Sequence, residues 1–475
     1  MQEKRSLDEL GLKSIKNVLC KSDVQFFQIC TGDSMEIIIA GAGMVGFRLA
    51  TTLSVKHNVT VIDKNVDAIN MLQEQIDIFS VVGNVEDPST YSSILGKQID
   101  LFIAVTDSDE TNIIACLIID EGLQVKDKIV RLRNAFFAKS SIALKLGITE
   151  SVFPIMRTAN SVKSLLDFPK ANSVKKLNQS DFRLISIRAQ HKPQDYITAQ
   201  SHNSDQLLVI GIERNKDFFI PKPNDVIKPN DLVYFFGAPK EIKSMCSHVD
   251  SKMPIQIKKI VIFGADSLGI EIAKKLVAPG VSIKLIERSL EKCKLAAEIL
   301  QNDVTIISSQ YGNDRLIKEE GLQNADMIIA TSKNDEENIV KCIEAKEYGV
   351  EKVVAINNDP QKYALMHKLG IIVVRGQKNN AYYAILEKID SSSVVHARLF
   401  CGGSAVALTR IIYSGTELIG KIIQPYSRSE PYCIYIRGGK VFAFTESLLV
   451  EENDYIMAFC TIIEEQKVKK WIYAL

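Results

Sequence analysis

Three glycines spaced as GxGxxG, Gly41, Gly43 and Gly46, sit directly after the apolar run 37–40 and at the opening of an amphipathic stretch. Each has a chemical reason to be there. Gly41 permits a tight turn out of a strand, Gly43 lets the backbone approach a pyrophosphate, and Gly46 allows the helix to pack closely on the strand. Ala42, Met44 and Val45 complete the turn, whose helix opening offers free N–H groups and a partial positive charge to a phosphate. Asp63 lies 20 residues beyond Gly43, ends the run VTVID and is followed by Lys64. A carboxylate at that place can accept hydrogen bonds from ribose hydroxyls. The chemistry is that of a dinucleotide or adenine-nucleotide site; a glycine turn kept only for packing is the alternative.

Further polar residues are expected at other strand ends on the same rim. Gly83 and Asn84 follow a third apolar run, Thr106 a fourth, and Arg131 with Arg133 lies along a fifth. Residues i and i+2 of a strand share a side, so the two guanidiniums could both face a phosphate. A salt bridge at the sheet edge is the competing role for them.

The pattern is written twice. MEIIIAGAGMVGFRLATTLSV (35–55) is matched by KKIVIFGADSLGIEIAKKLVA (258–278), and Asp63 by Glu287. DLFIAVTDSDETN (100–112) is echoed by DMIIATSKNDEEN (326–338), at offsets that stay between 223 and 226 residues. The second copy keeps Gly264, Gly269 and Glu287 but has Asp266 in place of the middle glycine. Ser308 and Ser309 are aligned with Gly83 and Asn84, and Ala355 and Asn357 with Arg131 and Arg133. A side chain and negative charge at 266 oppose a pyrophosphate, so the second site is expected to be weak or absent.

Short apolar runs alternating with helix-period segments predict βαβ units and a parallel sheet buried on both faces. Each half then turns β-branched and aromatic, with Pro, Gly and Asn-Asp breaks, as a small mixed domain does. The expected architecture is α/β: two tandem Rossmann-like parallel-sheet domains, each followed by a small α+β domain. The boundaries are 1–34 for a poorly ordered extension, 35–170 and 257–390 for the Rossmann-like domains, and 175–250 and 394–475 for the small ones. Asp225 and Asp231 in the first small domain read as turn-forming carboxylates in preference to cation ligands.

Composition narrows the function classes. Lys plus Arg (58) balances Asp plus Glu (57), which argues against nucleic-acid binding. No run of roughly 18 apolar residues exists to span a membrane, so any membrane role passes through a partner. The first residues show no secretory-signal pattern, so a cytoplasmic location is expected. Nine cysteines without CxxC spacing read as reduced structural thiols, and no metal site is expected. Six scattered histidines without a catalytic partner argue against an NAD-dependent oxidoreductase, the main rival, since such an enzyme needs a general acid or base.

GAGMVG, Asp63, VVGN, AVTDSDETN and IVRLRN, in that order and spacing, resemble the TrkA family of regulators of potassium conductance, over residues 35–475. The resemblance implies Rossmann-like domains that bind NAD(H) or ATP/ADP as regulatory ligands without turnover. It also implies a homo-oligomeric ring, a tetramer, lying at the inner face of the cell membrane and gating a TrkH/TrkG-type integral membrane potassium transporter. A scaffold that has lost its ligand is the remaining rival.

Overall fold

The structure, a computed structural model, describes residues 34–475 apart from 95, 97, 135, 138–140, 178–180, 191–197, 199–203, 205, 216, 223, 254–255, 310–319, 390–394 and 427–432. The predicted extension thus lies outside the described residues except for Ser34. The first half contains β1 (Glu36–Ala40), α1 (Met44–Leu53), β2 (Asn58–Asp63), α2 (Val66–Gln73), β3 (Phe79–Val82), β4 (Gln98–Ala104), α3 (Asp109–Gly122), β5 (Gln124–Arg131), β6 (Glu150–Val152) and α4 (Pro154–Asp167). A small sheet follows, with β7 (Ala171–Lys176), β8 (Arg183–Arg188), β9 (Leu207–Arg214), β10 (Asp217–Phe219), β11 (Leu232–Gly237) and then α5 (Pro239–Val249).

The second half repeats the plan. It has β12 (Lys259–Phe263), α6 (Ser267–Leu276), β13 (Ser282–Glu287), α7 (Leu290–Leu300), β14 (Thr305–Ser308), β15 (Met327–Ala330), α8 (Asp335–Glu347), β16 (Lys352–Asn357), α9 (Tyr363–Lys368), β17 (Ile372–Arg375) and α10 (Gln377–Ile389). Its small domain comprises β18 (Val395–Phe400), β19 (Ala405–Ile411), β20 (Ile422–Ile423), β21 (Cys433–Arg437), β22 (Lys440–Ala443), β23 (Leu448–Leu449), β24 (Tyr455–Thr461) and α11 (Glu465–Ala474).

Both large sheets are parallel, ordered β3-β2-β1-β4-β5-β6 and β14-β13-β12-β15-β16-β17. Alternation of side chains explains why the strands are apolar throughout. Ile37 and Ile39 enter the core layer that contains Leu49 and Ala50 of α1, whereas Ile38 and Ala40 enter the opposite layer with Cys116 and Ile119 of α3. The two small sheets also share one order, β7-β8-β11-β9-β10 and β18-β19-β24-β21-β22, so the duplication runs the length of both halves.

The chain divides into two compact units, residues up to 156 with 377–393, and residues 157–376 with 394–475. In the first unit α10 packs on α1: Arg48 donates to Asn379 Oδ1 at 2.7 Å, its guanidinium lies 4.0 Å over the Tyr382 ring, and Thr52 Oγ1 is 2.8 Å from Tyr382 Oη. In the second unit Lys163 of α4 donates to the Lys275 carbonyl of α6, and Thr158 to the Arg375 carbonyl at 3.1 Å. The last helix of each Rossmann-like domain thus belongs to the unit holding the other domain's sheet. Among the described residues no helix is long and apolar enough to cross a membrane.

Asp231 is a turn former with a second task. Arg214 grips both its carboxylate oxygens, at 2.9 and 2.7 Å, and the Lys228 N–H donates to Oδ2. Arg437, Asp454 and the Glu451 N–H repeat the clamp in the other small domain, where Asp454 is fully buried. Asp225 closes its own turn by accepting from the Lys222 N–H. Asp454→Ala removes two of the hydrogen bonds of Arg437, which keeps Glu451 Oε1 and the Leu449 carbonyl, and leaves the Glu451 N–H without its acceptor; it is expected to cost about 1–3 kcal/mol, read as a fall in thermal midpoint. The cysteines among the described residues are buried and free, and burial pushes the thiols of Cys116, Cys342 and Cys433 up to about 12. Such thiols are packing groups, not nucleophiles.

Candidate nucleotide-binding site

The turn after β1 is built from backbone constraints. Gly41 has φ +111°, a conformation that favours glycine, and its N–H donates to the Ile62 carbonyl at 2.8 Å. A Cβ on Gly46 would lie 1.8 Å from the Gly41 carbonyl oxygen, so α1 can cross the turn only without a side chain there. Gly43 differs from both. Its φ of −64° suits any residue, and a Cβ would meet nothing within 4 Å. The fold needs two of the glycines but places no such demand on the third. Gly43 is the N-cap of α1 and gives no side-chain hydrogen bond, leaving the helix opening with Met44, Val45 and Gly46 bare of any cap.

Asp63, at the end of β2, points its carboxylate back at the turn. Oδ2 accepts from the Ala42 N–H at 2.6 Å and Oδ1 from the Asn65 N–H at 2.8 Å. Each oxygen keeps a lone pair, so the group can hold the turn and still accept a hydroxyl. Lys64 next to it is exposed. Gly83 donates its N–H to the Asp63 carbonyl, and a Cβ there would lie 2.5 Å from Thr90. Asn84 is exposed and accepts from the Glu86 N–H at 3.2 Å. The structure therefore gathers the turn, Asp63, Gly83 and Asn84 on one rim.

Thr106 and the two arginines hold the other side of the rim. Thr106 Oγ1 donates to Asn112 Oδ1 at 2.7 Å, and Asn112 Nδ2 donates to the Arg131 carbonyl at 2.9 Å. Arg131 is the last residue of β5 and Arg133 lies beyond it, so the shared strand face expected for the pair is not formed. Their paired acids come from the turn after β4 and the first residue of α3: Arg131 Nη1 is 3.6 Å from Asp107, and Arg133 Nε is 3.6 Å from Asp109. Arg131 is buried, with its Nε lacking a hydrogen-bond partner among the described residues, whereas Arg133 is partly exposed. Burial pulls the Arg131 guanidinium below its ordinary range and Asp107 partly offsets this.

Asn112 and Asp109 escaped the sequence-based site list. Asp109 accepts from the Arg133 and Asn134 N–H groups, and Asp335 accepts likewise from Asn358 and Asp359. Asn338 repeats Asn112, bridging to the Ile356 carbonyl. The signal was present in the repeated D…N of TDSDETN and KNDEEN. Residues kept in both halves, including the half with the altered turn, hold the fold.

The second half shows what a side chain at the middle glycine does. Gly264 (φ +110°) and Gly269 reproduce the turn, and Glu287 accepts from the Ala265 and Ser289 N–H groups, both at 2.9 Å. Burial raises the Glu287 carboxyl, but those N–H donors outweigh it and hold it below the ordinary range. Asp266 has φ −78° and ψ 178°, the backbone of Gly43, and its carboxylate accepts from the Leu268 and Gly269 N–H groups at 3.2 Å each. The helix has capped itself with the donors a phosphate would use.

Strand register also corrects two alignments. Ala104 pairs with Val130 and Ala330 with Ala355, so Arg131 and Arg133 correspond to Ile356 and Asn358, not to Ala355 and Asn357. Asp63 pairs with Val82 and Glu287 with Ser308, which places Ser309 opposite Gly83 and leaves the partner of Asn84 outside the described residues. A one-residue slip in each loop caused the difference. Asp266→Gly is expected to free the second helix opening and lower that domain's stability by only a few tenths of a kcal/mol, since glycine is itself a tolerated cap; thermal unfolding measures it.

Comparison with known proteins agrees with this geometry. The TrkA-N domain family matches residues 37–154 and again 260–375, and the TrkA-C domain family matches 199–249. The chain belongs to the TrkA family. The Trk system potassium uptake protein TrkA of Halomonas elongata is 25% identical over 454 residues, covering 92% of this chain and 97% of that protein. Its counterpart in Vibrio alginolyticus is 25% identical over 440 residues, covering 90% and 95%, and the TrkA homolog 1 of Methanosarcina mazei is 24% identical over 455 residues, covering 92% and 100%. Among solved structures the GsuK channel bound to NAD superposes with a TM-score of 0.58 at 17% identity, over 94% of this chain and 80% of that one. The GsuK RCK domain gives 0.57 at 16%, over 94% and 97%. At such identities the structural likeness is one of fold, and it spans both halves.

Proposed function

We propose that the chain is a regulatory subunit of a potassium-uptake system that binds NAD(H) or ATP/ADP at its first Rossmann-like domain. Bound nucleotide shifts a homo-oligomeric ring, a tetramer, between two shapes and so gates a TrkH/TrkG-type transporter from the inner face of the cell membrane. The observation that carries this reading is Gly43, a glycine the fold does not need, at a helix opening with no side-chain cap, beside a carboxylate fit for a ribose. The TrkA relatives named for potassium uptake and the NAD carried by the GsuK channel support it.

No reaction is required of the site. A ligand moves a two-state ring only by its difference in affinity for the two shapes, and turning a 1:99 balance into 99:1 takes about 10⁴-fold preference. The second Rossmann-like domain, with its self-capped helix, builds the assembly without sensing. Tracer uptake in cells co-expressing this chain with a TrkH-type transporter tests the proposal. Uptake should depend on the chain and respond to the nucleotide ratio, and the Gly43→Asp form should support uptake that no longer responds. Transport indifferent to the chain would refute the regulatory role.

A further inference from the structure

The second unit contains a polar junction that the nucleotide site does not use. His367 of α9 lies between two strands of the first small sheet: Nε2 is 3.2 Å from an Arg188 Nη2 on β8, and Nδ1 is 3.4 Å from Glu213 Oε1 on β9. Glu213 Oε2 in turn accepts from Tyr234 Oη of β11 at 3.2 Å and from the Cys401 thiol at 3.0 Å. The Tyr363 ring stacks on the imidazole at 5.7 Å and an interplanar angle of 12°. Side-chain exposure is only 16% for His367 and 10% for Glu213, so water does little of the hydrogen bonding here.

A guanidinium can only donate. Nε2 must therefore be the bare, accepting nitrogen, and the ring proton sits on Nδ1, aimed at Glu213. We propose that His367 is a proton switch: protonating it breaks the contact between α9 and β8 and loosens the first small domain from the second Rossmann-like domain. A proton on Nε2 leaves Arg188 facing a donor and sets two cations against each other, whereas the Nδ1–H to Glu213 contact survives and strengthens. The contact is thus lost on one side only.

The surrounding groups fix the sign. Burial holds the imidazole below its ordinary value, Glu213 opposes this and Arg188 adds to it. Tyr234 and Cys401 sit behind Glu213 and stay neutral because burial raises both. Beyond these, Arg375 of β17 acts on Tyr363, and Arg188 on Lys346 of α8. A histidine held low in the folded state contributes fully above its unfolded value of 6.5 and loses that contribution as the pH falls below it. The switch therefore opens in mild acid, and the nucleotide site has no part in it.

Hydrogen exchange on the full chain between about pH 5 and pH 7.5, corrected for intrinsic rates, is the test, with the His367 ring titration followed by NMR. Protection across 183–188 and 363–368 should fall about tenfold for each unit by which folded and unfolded titrations differ. His367→Gln, whose amide can accept from Arg188 and donate to Glu213 at any pH, should remove that pH dependence. Arg188→Met should raise the ring midpoint and Glu213→Gln should lower it. A midpoint at or above 6.5 in the unaltered chain, or protection that is flat with pH, overturns the proposal without reliance on any variant.

Discussion

Nucleotide affinity is expected to fall by more than about hundredfold in the Gly43→Asp variant, while its thermal midpoint should stay level or rise slightly. The loss has two parts. The new carboxylate takes the N–H donors at the helix opening, as Asp266 takes those of Leu268 and Gly269, and it faces the phosphates with like charge. Hydrogen bonds to charged groups contribute about 1.5–3 kcal/mol each, so losing two exceeds the 2.8 kcal/mol that corresponds to hundredfold. Stability is spared because the backbone at 43 already matches that of 266 and a Cβ meets nothing within 4 Å. Calorimetric titration with NADH and ATP, beside a melting curve, reads both quantities. Asp63→Ala is a poorer probe, since Asp63 also secures the Ala42 and Asn65 N–H groups and its removal damages the turn itself.

Gly46→Ala has the opposite profile. Its Cβ would sit 1.8 Å from a backbone carbonyl oxygen, and that of Gly269→Ala 1.9 Å from the equivalent atom. Neither neighbour is a flexible side-chain tip, so α1 or α6 must move off its strand. Overpacking of this kind costs about 3 kcal/mol or more, and for a unit of 150–250 residues each kcal/mol lowers the midpoint by about 2–4 °C. Gly46→Ala should therefore lose about 10 °C and Gly269→Ala, in the larger second unit, roughly half of that, whereas Gly43→Ala should melt with the unaltered chain. Equal melting of all three would show that the close crossing is not a constraint.

The outline of the fold was legible because buried parallel strands must be apolar on both sides and because the repeat told where each strand recurs. The glycine turn, Asp63 and the opposing effect of Asp266 were legible for the same reason. What the carboxylate at 266 does was only half visible: charge repulsion could be argued from residue type, but capping of Leu268 and Gly269 depends on a side-chain torsion. The placement of α10 was not legible at all. A duplicated chain offers its amphipathic helix two homologous surfaces, α1 and α6, and hydrophobic periodicity is satisfied equally by either. The shared face expected for Arg131 and Arg133 is absent because β5 ends at Arg131, two residues short of Arg133.

On the proposed function, residues present in both halves hold the fold and those present only in the first serve the ligand. Asp109, Asn112 and their counterparts Asp335 and Asn338 fall on one side of that division; Gly43 and Arg131 fall on the other. The measurement that tests it most directly is the stoichiometry of nucleotide binding by calorimetry, on the unaltered chain and on Gly43→Asp. The first-half sensor predicts one site per chain, reduced to none by the substitution. Two sites per chain, or one that persists in Gly43→Asp, would contradict it.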